Sequence, residues 1–469
     1  MITPLDVAPG QTAPIYRQIY QRFRESIADG RLRPGDRVPA VRALAAELNL
    51  ARGTVEAAYQ LLIGEGYLTA RGAVGTFVTP HLMPACSSML RTPIVSTKYQ
   101  VNHAGTLPLA LQMGIPALDA FPRKLWTRLV GRQLRQAGLE GLVYPDSQGY
   151  APLRSAIAAY LGISRGISCH PDQVFVCAGY RACLDLISRT LMSPDDKCWM
   201  EEPGYFMARN ALLDAGAELV PVPVDDEGLD VAHGIASCPD ASFAVVTPTH
   251  QSPLGMSLSL PRRLALLDWA NRQGSWIIED DYDSEYRYQG KPLPSLKSLD
   301  QQGRVLYTGT FSKVLFPGLR LAYLVVPAEQ TLAFARQADR LHNHCPHLLQ
   351  ATVAAFLNEG HFARHLKKMR SLYARRRQWL VDALQQQFGD RLLVNHQVSG
   401  MHLVAGLREG NDAELALRAQ SVGIAVEPLS QWYLKAKPRH GLILGFTNIV
   451  SVEQASAVAL RLANVMQLK

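Results

Sequence analysis

The chain has 469 residues, 48% of them apolar and 19% charged, with a formal net charge of +8. That composition excludes a disordered chain, and the length predicts two to four domains rather than one. No run of eighteen apolar residues and no charged start followed by an apolar block is present, so neither a membrane span nor an export signal is predicted. Seven scattered cysteines include no Cys-x-x-Cys pair, which suits a reducing cytoplasm, the compartment we expect. Charge permits nucleic acid without establishing it. Residues 1–80 hold nine arginines against seven acidic residues, so a DNA reading must rest on arrangement.

In chain order, Ile15, Ile19, Phe23 and Ile27 stand four apart and predict a helix. "RPGDRVP" breaks it with Pro34, Gly35 and Pro39. Val41, Leu44, Ala45 and Leu48 then predict a second helix with Arg42 outside the stripe. Val55, Ala58, Tyr59 and Leu62 predict a third, leaving Arg52, Thr54 and Glu56 off its apolar face. "GYLTARGAVGTFVTP" reads as a short hairpin bent at Gly72 and Gly75. Two short helices, a tight turn and a β wing form the winged helix-turn-helix pattern.

The segment from "GRLRPGDRVPAVRALAAELNL" to "GYLTARGAVGTFV" resembles the DNA-binding domain of the GntR family of bacterial regulators. The resemblance implies contacts to a double-stranded DNA operator from Arg42, Arg52, Thr54, Arg71 and Gly72. Guanidinium groups fork onto phosphate or guanine, and glycine lets backbone approach a groove. Ala51 and Gly53 stand where that family more often carries polar residues.

Residues 81–105, proline- and serine-containing without a clear period, read as a linker between a DNA-binding domain at 1–80 and an effector domain at 106–469. Beyond it, short apolar runs alternate with helical stretches. This predicts an α/β domain with a mostly parallel sheet, split into a large subdomain at about 120–335 and a small one at about 340–469. In such sheets ligands sit at the carboxyl ends of strands. Three runs end in polar residues: "FAVVTPTHQSPLG", "SWIIEDDYDSEY" and "RVLYTGTFSK". They gather Thr247, His250, Gln251, Ser252, Asp280, Tyr282, Thr310, Ser312 and Lys313.

An amine, a carboxylate, a phenol and hydroxyls at one sheet face fit pyridoxal 5'-phosphate. Lys313 takes the aldehyde as an imine, Asp280 keeps the ring nitrogen protonated, and Tyr282 bonds the ring oxygen. "VCAGYRACLDLI" supplies a phosphate site, since Gly179, Tyr180 and Arg181 open a helix whose free N–H groups favour an anion. Ser312 and Arg320 complete the cup, and Tyr205, after a Pro-Gly turn, stacks on the pyridine. Each element alone has a plainer reading as a cap, a turn or a surface lysine. Their conjunction decides. "LHNHCPH" lacks metal-ligand spacing, and no metal is expected there. "HFARHLKKMRSLYARRRQWL" holds seven lysines and arginines and no acid, which most often means a solvated helix face.

The order of these motifs from about residue 106 resembles the fold type I aminotransferases. The resemblance implies that Tyr144, in "YPDSQGYAPLR", reaches the phosphate of a neighbouring subunit. Ser252 stands where that family has an asparagine contact. An arginine is expected to clamp the substrate carboxylate, with Arg439 and Arg209 the two candidates. The joined pattern is similar to the MocR/GabR-type subfamily of the GntR regulators, carried by "EDDYDSEYRYQGKPLPSLKSLD" and "GTFSKVLFPGLRLAY". This implies a domain-swapped homodimer that senses an amino compound, or pyridoxal phosphate itself, through an aldimine at Lys313. The alternative is an active aminotransferase with an accessory DNA-binding domain, because every group needed for turnover is present.

Overall fold

The computed structural model describes residues 13–80, 107–288, 290, 294–395 and 399–467. The linker expected at 81–105 lies outside the described residues. The chain divides into two units, Met1–Thr106 and Leu107–Lys469.

The first unit contains α1 (Ile15–Ala28), β1 (Arg37–Val38), α2 (Val41–Glu47), α3 (Arg52–Gly64), β2 (Leu68–Ala70) and β3 (Thr76–Val78). Its core is the periodic set itself: Ile19, Phe23, Ile27, Leu44, Ala45, Val55, Ala58, Tyr59 and Leu62 are buried together. Each large apolar side chain there contributes about 1.5–3 kcal/mol of transfer free energy. Tyr59 meets Phe23 edge-on at 5.4 Å and donates its hydroxyl to the Pro39 carbonyl at 2.7 Å, which ties α3 to the turn before α2. Helix α2 stops at Glu47, so Leu48 falls at its cap and is only half-buried. The three strands pair antiparallel in the order β1-β3-β2 and form the wing.

The second unit is built on an eight-stranded sheet. Its strands are β4 (Val174–Cys177), β5 (Lys197–Glu202), β6 (Glu218–Asp225), β7 (Gly228–Leu229), β8 (Phe243–Val246), β9 (Trp276–Asp281), β10 (Val305–Thr310) and β11 (Ala322–Val325). Their spatial order is β4-β11-β10-β9-β8-β5-β6-β7. The run from β10 to β6 is parallel, whereas β11 lies antiparallel to both β10 and β4. The strand cores, such as Val174–Cys177 and Phe243–Val246, are wholly buried, as a sheet covered on both faces requires.

A second sheet, ordered β12-β13-β15-β14, contains β12 (Leu392–Val394), β13 (His402–Leu407), β14 (Glu427–Pro428) and β15 (Gly441–Gly445), all antiparallel. It packs with the 28-residue helix His361–Phe388 and the helix Val452–Gln467. That long helix is not uniformly solvated. His365 and Arg376 are buried, and Arg376 forks onto both oxygens of Asp119 while also donating to the Thr447 carbonyl. Segment 110–115 crosses to this sheet: Gly445 N–H donates to the Leu111 carbonyl, and Thr447 Oγ1 donates to Ile115.

Candidate functional site

Lys313 sits in the connection between β10 and β11, whose register pairs Thr310 with Ala322. Its apolar neighbours are anchors. Phe311, Val314 and Leu315 are all buried in the main core, which fixes the loop and leaves the lysine to project. The amine donates to the Gly114 carbonyl at 2.9 Å. Gly114 has φ +75°, and a Cβ there would stand 2.4 Å from Nζ, so only glycine fits beside the lysine. Gly114 escaped the sequence reading, although "GIP" after an apolar run marks a turn. Burial lowers the Lys313 pKa, which favours the neutral, nucleophilic amine, while Asp283, Asp280 and Glu427 act to raise it.

Asp280 lies on β9, beside β10, with Asp280 opposite Thr308. Its carboxyl is buried, has no ion pair among the described residues, and is pushed up to about 8 by burial. Asp281, Glu201 and Asp283 push in the same direction. The Tyr180 hydroxyl, itself buried and without a hydrogen-bond partner of good geometry, lies near enough to oppose them. A carboxylate so placed lacks a cation, and a protonated pyridine nitrogen is one.

Tyr282 follows on the same strand end. Its hydroxyl is 2.9 Å from His250 Nδ1, and the same nitrogen is 3.0 Å from Asp283 Oδ1. One ring nitrogen serves one of these bonds at a time. With Nδ1 protonated, His250 donates to Asp283 and the phenol keeps its proton for another acceptor. With Nδ1 bare, Tyr282 donates to it. Gly400, with φ +85°, makes room: a Cβ there would be 2.0 Å from His250 Cε1. Ser252 N–H donates to Thr247 Oγ1 at 3.0 Å, and the Ser252–Pro253 bond is cis. Sequence reasoning placed His250 near the site but found neither its dyad with Asp283 nor Gly400, because both contacts join residues more than thirty positions apart.

The anion cradle is formed by the start of helix Tyr180–Leu191, capped by Gly179 at φ +103°. Its first N–H groups have no intrahelical partner. Arg320, in the left-handed region at φ +51°, donates to the Ala178 carbonyl at 3.0 Å. A Cβ on Gly179 would lie 2.9 Å from the Arg320 guanidinium, so glycine lets that cation close on the helix start. Ser312 sits one residue before Lys313, its N–H donating to Thr310 Oγ1 at 3.1 Å. Arg181 offers only backbone here, since its exposed side chain pairs with Asp214. Tyr205 is half-buried between Tyr180 and Trp432, with ring centroids at 6.2 and 5.9 Å.

The two arginines expected for a carboxylate converge on Tyr433. Arg209 donates to its carbonyl at 3.3 Å, and the exposed Arg439 donates to its hydroxyl at 3.0 Å. Tyr144 is 91% exposed, with its ring 6.2 Å from His344. In the first unit Arg42 and Arg52 are exposed on α2 and the first turn of α3, with Thr54 half-buried beside them. Arg71 lies over the Phe77 ring at 5.1 Å at the wing tip, followed by Gly72 at φ +55°. No helix is long and apolar enough to cross a membrane among the described residues.

Comparison with known proteins covers both units. Residues 15–78 match the bacterial regulatory proteins of the gntR family, and residues 118–441 match the aminotransferase class I and II family. The chain is 40% identical over 448 residues to the probable rhizopine catabolism regulatory protein MocR of Rhizobium meliloti, covering 93% of this chain and 90% of that protein. It is 34% identical to the pyridoxine biosynthesis transcriptional regulator PdxR of Corynebacterium glutamicum, covering 94% of each. Among solved structures, a kynurenine aminotransferase of Pyrococcus horikoshii superposes with a TM-score of 0.71 at 26% identity, over 78% of this chain and 93% of that one. The class I and II aminotransferase fold uses pyridoxal phosphate, so that cofactor is expected here. The chain belongs to the MocR-type regulators of the GntR family, a DNA-binding helix-turn-helix head joined to an aminotransferase-like domain.

Proposed function

We propose that the protein holds pyridoxal 5'-phosphate covalently through Lys313 and changes its operator binding when an amino compound takes the place of that lysine. The observation that carries this reading is Asp280: a buried carboxyl with no ion pair among the described residues, one strand from an amine whose pKa burial lowers. The residues present fit the group. Gly179 and Arg320 form a cradle that a Cβ would fill, and the buried Tyr180 hydroxyl lies near Asp280.

When bound, the cofactor supplies an aldehyde for amines and a protonated ring that withdraws electrons. Asp280 holds the proton at the ring nitrogen. The N–H groups of Tyr180 and Arg181, Ser312 and the Arg320 guanidinium bind the phosphate, and Tyr205 covers a ring face and excludes water from it. Tyr282 orients the ring oxygen, its own proton directed by His250 and Asp283, with Ser252 beside it. The Gly114 carbonyl would accept a hydrogen bond from the Lys313 amine whenever that amine is free, as it does here.

Coupling to DNA requires that the effector-bound and effector-free forms present the two reading heads of a homodimer differently, because a ligand shifts an equilibrium only by its differential affinity. Domain swapping, with Tyr144 reaching into the neighbour, is the arrangement we infer, and the cytoplasm is where such a regulator meets its operator. Arg42, Arg52, Thr54, Arg71 and Gly72 are the contacts we assign to DNA.

The test is a paired titration of the cofactor-loaded protein with amino compounds, reading the visible band of the Lys313 link and operator affinity together. A compound that moves both supports the reading, and Lys313→Ala abolishes both responses. An unchanged response in Lys313→Ala removes it. The retained cofactor residues also favour a second reading, a working aminotransferase. Many turnovers per site with an amino donor and a keto acceptor would establish that activity. A response of operator affinity to pyridoxal phosphate alone would make the cofactor itself the signal.

A further inference from the structure

A cavity of about 170 Å³ lies outside the cofactor site, where the helix His361–Phe388 begins. A space of roughly that size admits one benzene ring. Its apolar wall is Pro122 and Leu125, at the start of the helix Arg123–Gln136, with Phe356 from the helix His347–Asn358. Its other wall is basic. His361, Arg364, His365 and Lys368 recur at helical spacing and line it together.

These cations stand at the wrong end of their helix. The first turn has no acid and no side chain caps it, so the positive end of the helix dipole meets Arg364 directly. One Arg364 amine donates to the Glu359 carbonyl at 2.9 Å and to His361 Nδ1 at 2.7 Å, and His361 Nε2 donates to Glu359 Oε2 at 3.3 Å. The Glu359 carboxylate is also paired with Arg132. The remaining Arg364 guanidinium nitrogens and Lys368 Nζ, exposed at the rim, have no hydrogen-bond or ion-pair partner among the described residues. Two cations one turn apart, above an apolar wall, suit a small anion with an apolar body.

The same wall reaches the lysine loop. His365 is buried, and its Nε2–H donates to the carbonyl of Val314, the residue after Lys313, at 3.0 Å. Burial, with Lys368 close by, lowers the His365 pKa despite that bond, so the ring is neutral. Phe121 stands edge-on to His365 at 6.1 Å and to Phe316, three residues after Lys313, at 4.9 Å.

We propose that this cavity binds a small carboxylate with an apolar body, its ring or branched chain on Phe356 and Leu125 and its carboxylate on Arg364 and Lys368, and that occupancy acts on Lys313 through His365 and Val314. This is a second, non-covalent effector site, and the binding itself does not depend on what Lys313 captures.

The experiment titrates full-length, cofactor-loaded protein with benzoate, benzyl alcohol and inorganic phosphate, reading heat by calorimetry and the visible band by absorbance. Benzoate should bind at one site per chain, about tenfold or more tighter than either of the others, because only it matches both walls. The double substitution Arg364→Gln and Lys368→Gln, at exposed positions, should weaken benzoate about tenfold while the cofactor band is retained. Arg209→Gln should leave benzoate binding unchanged. Bound benzoate should shift the visible band of the unmodified protein. Equal affinity for benzyl alcohol or phosphate, or undiminished benzoate binding by the double variant, overturns the site. Loss of benzoate in Arg209→Gln but not in the double variant places the anion elsewhere and overturns it as well. Full binding with an unmoved band overturns the link to Lys313.

Discussion

Asp280→Asn isolates the charge that the cofactor is expected to neutralise. The folded, cofactor-free protein holds the Asp280 carboxyl at about 8, against 3.8 for a free side chain. Between those values the folded state keeps a proton that the unfolded state releases, so stability falls as pH rises and is recovered on acidification. Each pH unit inside the window costs up to about 1.4 kcal/mol, so the two units from pH 6 to pH 8 cost roughly 2–3 kcal/mol. Asparagine has nearly the same shape and no charge, and it removes this slope. Glu201 and Glu279, each pushed up to about 7 by burial, add slopes of the same sign, which the comparison with the variant subtracts. The assay is thermal or urea unfolding of both cofactor-free proteins at pH 6, 7 and 8. The gap between them should widen with pH in favour of Asp280→Asn, and cofactor binding should close it in the unmodified protein only. Parallel stability curves across that range would refute the argument that Asp280 is a buried acid awaiting a cation.

Other substitutions follow from the same geometry. Gly400→Ala forces a methyl against His250 at a positive φ, and should destabilise the protein by about 2–4 kcal/mol in urea unfolding. Arg165 pairs with both Asp281 and Glu285 in the core, so Arg165→Met strands two carboxylates and should cost about 3–5 kcal/mol by the same assay. His250→Leu removes the Nδ1 acceptor of Tyr282 and should shift the pH midpoint of the visible band while leaving the cofactor bound, as absorbance titration will show. Arg52→Ala should weaken operator binding by about 1–3 kcal/mol in a salt-matched binding assay and leave the visible band unchanged.

Local periodicity made the first unit readable: the residues at helical spacing in 15–62 are mostly the ones that pack, Val41 and Leu48 only partly buried against the core and Ile15 exposed at a helix start where the pattern outruns the core. In the second unit the strand ends after Val246, Asp281 and Thr310 were legible because a buried apolar run followed by polar residues has few other meanings. What could not be read depends on contacts between distant segments. Gly114 reaches Lys313 across 199 positions. The second sheet is assembled out of the last third of the chain, and a two-residue strand such as β14 carries no period to announce it. The family resemblance made Arg209 and Arg439 the candidate carboxylate clamps, and their shared attachment to Tyr433, more than two hundred positions from Arg209, could not be read locally. The basic run at 361–380 shows the opposite error: reading it as a solvated face misses Arg376, which the distant Asp119 holds inside.

The most direct measurement of the central claim is borohydride reduction of the protein incubated with pyridoxal phosphate, followed by mass mapping of its peptides. The account requires one phosphopyridoxyl mass, on Lys313 within the segment 309–323, and its loss when a displacing amine is added before reduction. Label spread over surface lysines, or no label at that residue in cofactor-saturated protein, would contradict it.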